Sequence, residues 1–171
     1  MITIKLASIT DSEILALLGR ITYTESHGEY IENKNHLFTY NNNAFDIEKI
    51  KKQLDDANNI FYIIYVNGFP AGYSKLVLEC NFKTMKTARN CRLERLYILQ
   101  EFLPLKLGKL LFNKVVSKAK KLEYETLWLS VYIKNDRAIK FYTKNEFINI
   151  GSLTFQVDET GYENHVLAKK L

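Results

Sequence analysis

The sequence predicts an α/β protein built on a mixed central sheet of about seven strands, with helices on both faces. Three observations lead there. Stretches rich in β-branched and aromatic residues alternate with stretches whose apolar residues recur at helical spacing. Their order is one strand, two or three helices, three strands, then helix, strand, helix and two strands, an interleaving that layered α/β domains require. The segment TLWLSVYI, Thr126 to Ile133, is apolar on both faces, as a strand covered on both sides must be.

Each element has its own signal. ITIKL, residues 2–6, is the first strand. Thr10 with Glu13 three places on forms a capping-box pattern for a helix whose Ile14, Leu17, Leu18 and Ile21 share one face and are expected to be buried. The Asn-rich stretch that follows has room for a short helix near Lys34 to Tyr40, and Asp46 is placed to cap a further helix carrying Ile47, Ile50 and Leu54. IFYIIYV and AGYSKLVLE flank NGFP, whose Asn67-Gly68 pair is a hairpin turn signal. After a polar loop, NCRLERLYIL is the next strand. A helix of about 16 residues with Leu107, Leu111, Val115 and Ala119 on one face comes next. The strand Thr126–Ile133 and a short helix over NDRAIKFYTKN precede two terminal strands around a polar turn, Asp158 to Asn164.

Composition narrows the function classes. The 171 residues fit one domain, residues 1–171, without a disulfide framework, and Cys80 and Cys91 lie far apart with no ligand-like neighbours. His27 and His36 lack the spacing of a metal site, so none is expected. The net charge of +5 is compatible with an anionic ligand; six lysines between Lys106 and Lys121 read as a solvated helix face, and the aromatics lie inside strands, so nucleic acid is not expected. The N-terminus has no basic-then-apolar leader and no apolar run nears the ~20 residues of a membrane span, which points to a cytoplasmic protein.

Two stretches carry chemistry. In LYILQEFLPLKLGKLL, a strand runs through a loop into a helix start, where unpaired N–H groups and a partial positive charge favour an anion. Alone this signal is weak, because the loop holds one glycine, Gly108, and Pro104 has no N–H to give. In LWLSVYIKNDRAIKFYTKNEF, Asn135 and Asp136 stand at a helix start, where they cap it or reach sideways. Tyr142, about two turns on, is either a site residue or a packed aromatic with a wet hydroxyl.

Together these stretches resemble the GCN5-related N-acetyltransferase (GNAT) superfamily, most strongly from Arg92 to Phe147. The family's loop pattern, Gln/Arg-x-x-Gly-x-Gly/Ala, falls on Leu103 to Gly108 and matches only at Gly108, with Lys106 at the first glycine. Its later pattern is carried by Asn135, Ala138, Phe141, Tyr142 and Phe147, with Glu146 where the family has glycine. LERLYI, TYTESHGEYIENKN and AGYSKL look nearest to the bacterial spermidine/spermine branch.

The resemblance implies a GNAT-type, mostly antiparallel sheet and acetyl transfer from acetyl-CoA to a primary amine of a small molecule, with polyamines favoured. Protein or aminoglycoside-type amines are the alternative acceptors, and a non-catalytic CoA-binding module is the alternative from another class. By the same resemblance, the N–H groups of Leu105, Lys106, Leu107, Gly108 and Lys109 meet the pyrophosphate of CoA, with Pro104 at the first helical position. Leu96, Tyr97 and Ile98 pair with the pantetheine arm, and the Ile98 N–H polarises the thioester carbonyl. Asn135 bonds that arm and Phe141 packs under it. Tyr142 is the proton donor, its phenol near 10 lying close to a thiol near 8.5. Ser130 occupies a position where some members place a basic Glu, so Glu94, acting through water, is the nominated base. Glu25, Glu29, Glu32, Asp55 and Asp56 are candidates for an acidic acceptor rim, and an edge-strand homodimer is common among relatives.

Overall fold

The computed structural model describes residues 1–83, 85, 89–157 and 161–171. Asp158–Thr160 of the terminal turn, and four residues of the polar loop before Asn90, lie outside the described residues. The elements are β1 (Ile2–Leu6), α1 (Ser12–His27), α2 (Lys34–Ala44), α3 (Ile47–Asp55), β2 (Asn59–Val66), β3 (Phe69–Val77), β4 (Asn90–Ile98), α4 (Leu107–Lys121), β5 (Thr126–Tyr132), α5 (Asp136–Lys144), β6 (Ile148–Phe155) and β7 (Tyr162–Lys170). The expected order and the mixed, mostly antiparallel sheet are both present. Seven strands run β1-β2-β3-β4-β5-β7-β6. β1–β2, β5–β7 and β6–β7 are antiparallel, and β4–β5 is parallel.

The chain divides into two compact units, Met1–Leu76 with Arg95–Val115, and Val77–Glu94 with Val116–Leu171. The first is organised around β2, whose residues alternate between faces. Phe61 and Ile63 join Leu15, Ala16, Leu18, Ile50 and Tyr73 in one buried cluster, against which Tyr97 and Leu99 pack. Tyr62 faces the other way, under the Lys114 ammonium at 5.6 Å. Asn67 (φ 50°) and Gly68 (φ 87°) make the left-handed turn that their pairing predicted, matching the twist of the hairpin strands.

Three local expectations are corrected in this unit. The cap of the first helical segment is Ser8, two residues before Thr10. The Asp11 carboxylate accepts the Ser8 N–H at 2.8 Å and the Ser8 hydroxyl at 3.1 Å, and a short 3-10 turn, Ile9–Asp11, leads into α1. The buried face of α1 is rotated as well: Ser12, Leu15, Ala16, Leu18, Gly19, Thr22 and Tyr23 are inside, while Leu17 and Ile21 are exposed. Thr22 tolerates burial because its hydroxyl donates to the Leu18 carbonyl at 2.7 Å. Gly19 is buried because only its missing Cβ leaves room for the Phe45 ring; a Cβ there would lie 2.2 Å from Phe45 Cδ1. Asp46 caps α3 as expected, accepting the Lys49 N–H at 2.9 Å. In α2 the helix runs four residues past the expected Tyr40, to Ala44.

The second unit centres on β5. Leu127, Trp128, Leu129 and Val131 are all buried, so both faces of the strand are covered, as its sequence required. Trp128 packs with Val166 and Ala168 and donates its indole N–H to the Cys80 carbonyl at 2.8 Å.

Close approach of β3 and β4 depends on Gly72. A Cβ there would stand 2.4 Å from the Tyr97 carbonyl oxygen and 2.9 Å from Ile98 Cα, both backbone atoms that cannot swing aside. Gly72→Ala is expected to lower unfolding free energy by about 1–3 kcal/mol, the cost of overpacking a fixed interior. Urea denaturation of the two proteins measures it.

Candidate active site

β4 sets the geometry. Its parallel ladder with β5 covers only three positions, Asn90, Cys91 and Arg92 against Thr126, Leu127 and Trp128. β4 then continues for six more residues to Ile98, while β5 continues to Tyr132 on β7. Leu96, Tyr97 and Ile98 lie in this continuation, all part-buried. Leu99, just beyond it, donates its N–H to the Ala71 carbonyl at 2.9 Å, so the β3 side of the strand end is fastened.

The loop that follows differs from expectation. Gln100–Leu105 is a 3-10 helix that contains Pro104, and α4 starts only at Leu107, so Pro104 is not at the first position of α4. Lys106 joins the two helices in the left-handed region, φ 55° and ψ 28°. The Lys106 N–H donates to the Leu103 carbonyl at 3.1 Å, and that of Lys109 to the Lys106 carbonyl at 3.2 Å. Two of the five candidate anion donors are therefore engaged inside the loop. Leu107 and Gly108 occupy the first positions of α4, whose N–H groups point out of a helix without an intrahelical partner. Gly108 is unobstructed on that side, since a Cβ there would meet nothing closer than Ile98 Cγ1 at 3.9 Å.

In the second unit, α5 gathers Asn135, Phe141 and Tyr142. The Asn135 side-chain oxygen accepts the Ala138 N–H at 3.1 Å and so caps the helix. Phe141 and Phe147 meet the Tyr142 ring edge-on at 5.3 and 5.5 Å. Tyr142 is buried, and burial pushes its phenol well above the ordinary tyrosine value. The near-match to a thiol expected from sequence is thereby loosened, because desolvation penalises the phenolate. Glu146, at the family's glycine position, adopts φ 67° and pairs with Lys169, which also donates to the Asn145 carbonyl at 3.0 Å.

Glu94 lies 3.9 Å from the Arg92 guanidinium. Arg92 in turn stacks over Trp128 at 4.8 Å and donates to the Ser130 hydroxyl at 3.3 Å. The carboxylate is thus fixed against an arginine at the last paired rung of β4 and β5. Two of the candidate rim carboxylates are engaged by backbone N–H groups. Glu25 accepts the Gln100 N–H at 2.9 Å, and Asp56 accepts the Asn58 N–H at 2.9 Å in a turn. Among the described residues no group of three or more His, Cys, Asp or Glu side chains could hold a metal ion.

A further residue with an unusual environment stands at the end of α1. His27 ends α1, stacks on Tyr23 at 4.4 Å and meets the Tyr97 ring of β4 edge-on at 6.1 Å. Burial pushes its imidazole down to about 4, opposed by a hydrogen bond to the Tyr23 backbone. It lies within TYTESHGEYIENKN, a stretch that carries the resemblance, but no metal spacing singles it out; its position at the helix end, one turn after the buried Tyr23, is the signal that could have done so.

The comparisons with known proteins come onto this geometry. Residues 23–147 match the family model described as the acetyltransferase (GNAT) family. The chain belongs to that family. Membership makes it an acetyl-CoA-dependent N-acetyltransferase. An uncharacterized N-acetyltransferase of Lactobacillus delbrueckii subsp. lactis is 21% identical over 100% of this chain and 99% of its own. Among solved structures, PaiA N-acetyltransferase from Thermoplasma acidophilum, in complex with coenzyme A, has a TM-score of 0.77 at 21% identity, covering 100% of this chain and 99% of that one. Arabidopsis thaliana NAA60, in complex with a bisubstrate analogue, has a TM-score of 0.75 at 13% identity, with 100% and 99% covered. In a GNAT enzyme the loop of Lys106 and the turn of Glu146 correspond to glycine positions, and here both non-glycine residues keep the left-handed backbone that glycine adopts freely.

Two outcomes follow for stability. Left-handed backbone costs a non-glycine residue roughly 1–2 kcal/mol, offset in part by glycine's larger entropy loss, so Lys106→Gly is expected to stabilise the fold by about 0.5–1 kcal/mol in urea denaturation. His27 has a depressed folded value, so above pH 6.5 it is neutral in both states. As pH falls from 6.5 toward about 4 the unfolded chain binds a proton that the folded chain refuses, and stability is lost across that window. Unfolding free energies at pH 7 and pH 4.5 should show a loss of up to about 3 kcal/mol that His27→Gln removes.

Proposed function

We propose that the enzyme acetylates a primary amine of a small molecule, with polyamines such as spermidine and spermine the first class to test, and that residues 1–171 act as a single acetyltransferase domain. The observation that carries the cofactor part of this reading is β4 beyond Arg92, where the ladder with β5 has ended but the strand runs on. An extended, amide-bearing arm runs along such a strand in the manner of an added strand. Acetyl-CoA brings such an arm, an activated thioester and an anionic pyrophosphate.

In this reading, Leu96 to Ile98 hold the pantetheine arm, and the Ile98 N–H donates to the thioester carbonyl as negative charge develops on it. The anion is held by the N–H groups of Leu107 and Gly108 at the start of α4, with Lys106 and Lys109 adding charge. Leu105 contributes to the approach of the loop. Asn135 has its side-chain oxygen occupied by the Ala138 N–H, which leaves its amide N–H groups to donate to the arm's carbonyls. Phe141 packs beneath.

For the chemistry, the acceptor nitrogen forms a bond to the acetyl carbon as the carbon–sulfur bond breaks, the amine loses a proton and the sulfur gains one. Glu94, oriented by Arg92, takes the amine proton through water. Tyr142 donates to the departing sulfur. Its raised value does not bar this, because the same dry surroundings raise the basicity of a thiolate formed beside it.

Calorimetric titration with acetyl-CoA tests the cofactor reading, and no heat at millimolar ligand would remove it. Tyr142→Phe is expected to lower kcat by about 100-fold or more while the acetyl-CoA Kd changes less than about threefold, in the range typical of a lost general acid. An unchanged kcat would remove Tyr142 as the donor.

A further inference from the structure

We propose that His27 is a specificity residue for the acceptor, its Nε2 lone pair accepting a hydrogen bond from the acceptor's ammonium or amine group. The inference rests on the amine-acceptor reading above and deepens it.

The tautomer can be worked out from the neighbours. Ser26 has one hydroxyl proton, and it is given to the Thr22 carbonyl at 2.7 Å. The 2.8 Å contact between Ser26 Oγ and His27 Nδ1 must then have the ring N–H as donor. The backbone of Tyr23 is a second acceptor on the ring's proton, since its hydrogen bond favours the protonated nitrogen. With Nδ1 carrying the hydrogen, Nε2 carries the lone pair. No hydrogen bond to Nε2 is found among the described residues, and the ring is part-buried rather than sealed.

The surroundings suit an amine. Tyr23 stacks on the imidazole at 4.4 Å and on Tyr40 of α2 at 4.4 Å, and Tyr97 closes the side toward β4 at 6.1 Å. Both faces of Tyr23 are thus covered, and an imidazole that stays neutral presents no repelling charge to an amine. The nearby charged groups are held on other partners. Glu25 accepts the Gln100 N–H, Lys34 donates to the Gly28 carbonyl at 2.6 Å, and Arg95 of β4 stacks over Phe45 at 4.9 Å. Tyr97 is flanked by Leu96 and Ile98, the residues proposed to hold the arm, so a group bound at His27 lies on the strand that would present the acetyl group. His27 holds the amine and does not deprotonate it, because an imidazole near 4 is too weak a base for an alkylammonium near 10.

Two variants separate this role from packing. His27→Phe keeps the ring stack and removes the lone pair; His27→Gln loses the stack and returns an acceptor near the Nε2 position. With whichever of spermidine, a lysine peptide or an aminoglycoside the wild type acetylates, His27→Phe is expected to raise the amine KM at least 10-fold. His27→Gln should stay within about threefold of wild type, with the acetyl-CoA KM unchanged in both. The reverse order, Phe near wild type and Gln impaired, would show a packing role and overturn the proposal. Nitrogen-15 NMR of the resting protein at pH 7 gives an answer independent of turnover: the Nδ1–H tautomer is expected at His27, and an Nε2–H tautomer overturns it. Failure of acetyl-CoA to bind wild type in calorimetry would instead count against the cofactor reading, leaving the NMR result to decide the tautomer.

Discussion

The placement of β4 is what constrains the rest of this structure. The strand is fixed on one side by β3, where the absence of a side chain at Gly72 admits the Tyr97 carbonyl and the Ile98 backbone. On the other side, three rungs with β5 end at Arg92 and Trp128. Most of the chemistry named above is arranged along the residues that follow. The arginine–indole stack marks the end of the pairing, Glu94 is tied to that arginine, and the loop after Ile98 leads straight into the start of α4.

The order of elements was legible because strand and helix periodicity, an Asn-Gly turn and an Asp cap are local signals with local causes. The face of α1 was not. Counting apolar side chains selects Leu17 and Ile21, yet the helix buries Ser12, Gly19 and Thr22 in their place. Small residues admit a neighbouring ring, and a hydroxyl can satisfy itself on the preceding turn, so polarity at those positions costs little. The same limit applied to the loop before α4: Pro104 predicts a helix start, but it lies near the end of a separate 3-10 segment, Gln100–Leu105, closed by Lys106.

The motif residues on α5 stand out in the sequence through the family resemblance, and the structure gives their hydrogen bonds and ring contacts. At two positions where the family has glycine, Lys106 and Glu146 both hold the positive φ that glycine adopts freely. His27 was unreadable for another reason. Its tautomer and neutrality come from Ser26, from the Tyr23 backbone and from a strand seventy residues away, none of which a motif records.

Trp128 is the chain's one tryptophan, and it sits under Arg92 at the last rung of the β4–β5 ladder with its indole N–H on the Cys80 carbonyl. The protein therefore carries a native optical probe at the last rung that pairs β4 with β5. Any event that loosens or tightens that rung alters the field and quenching felt by a single fluorophore, without a label and without background from another indole.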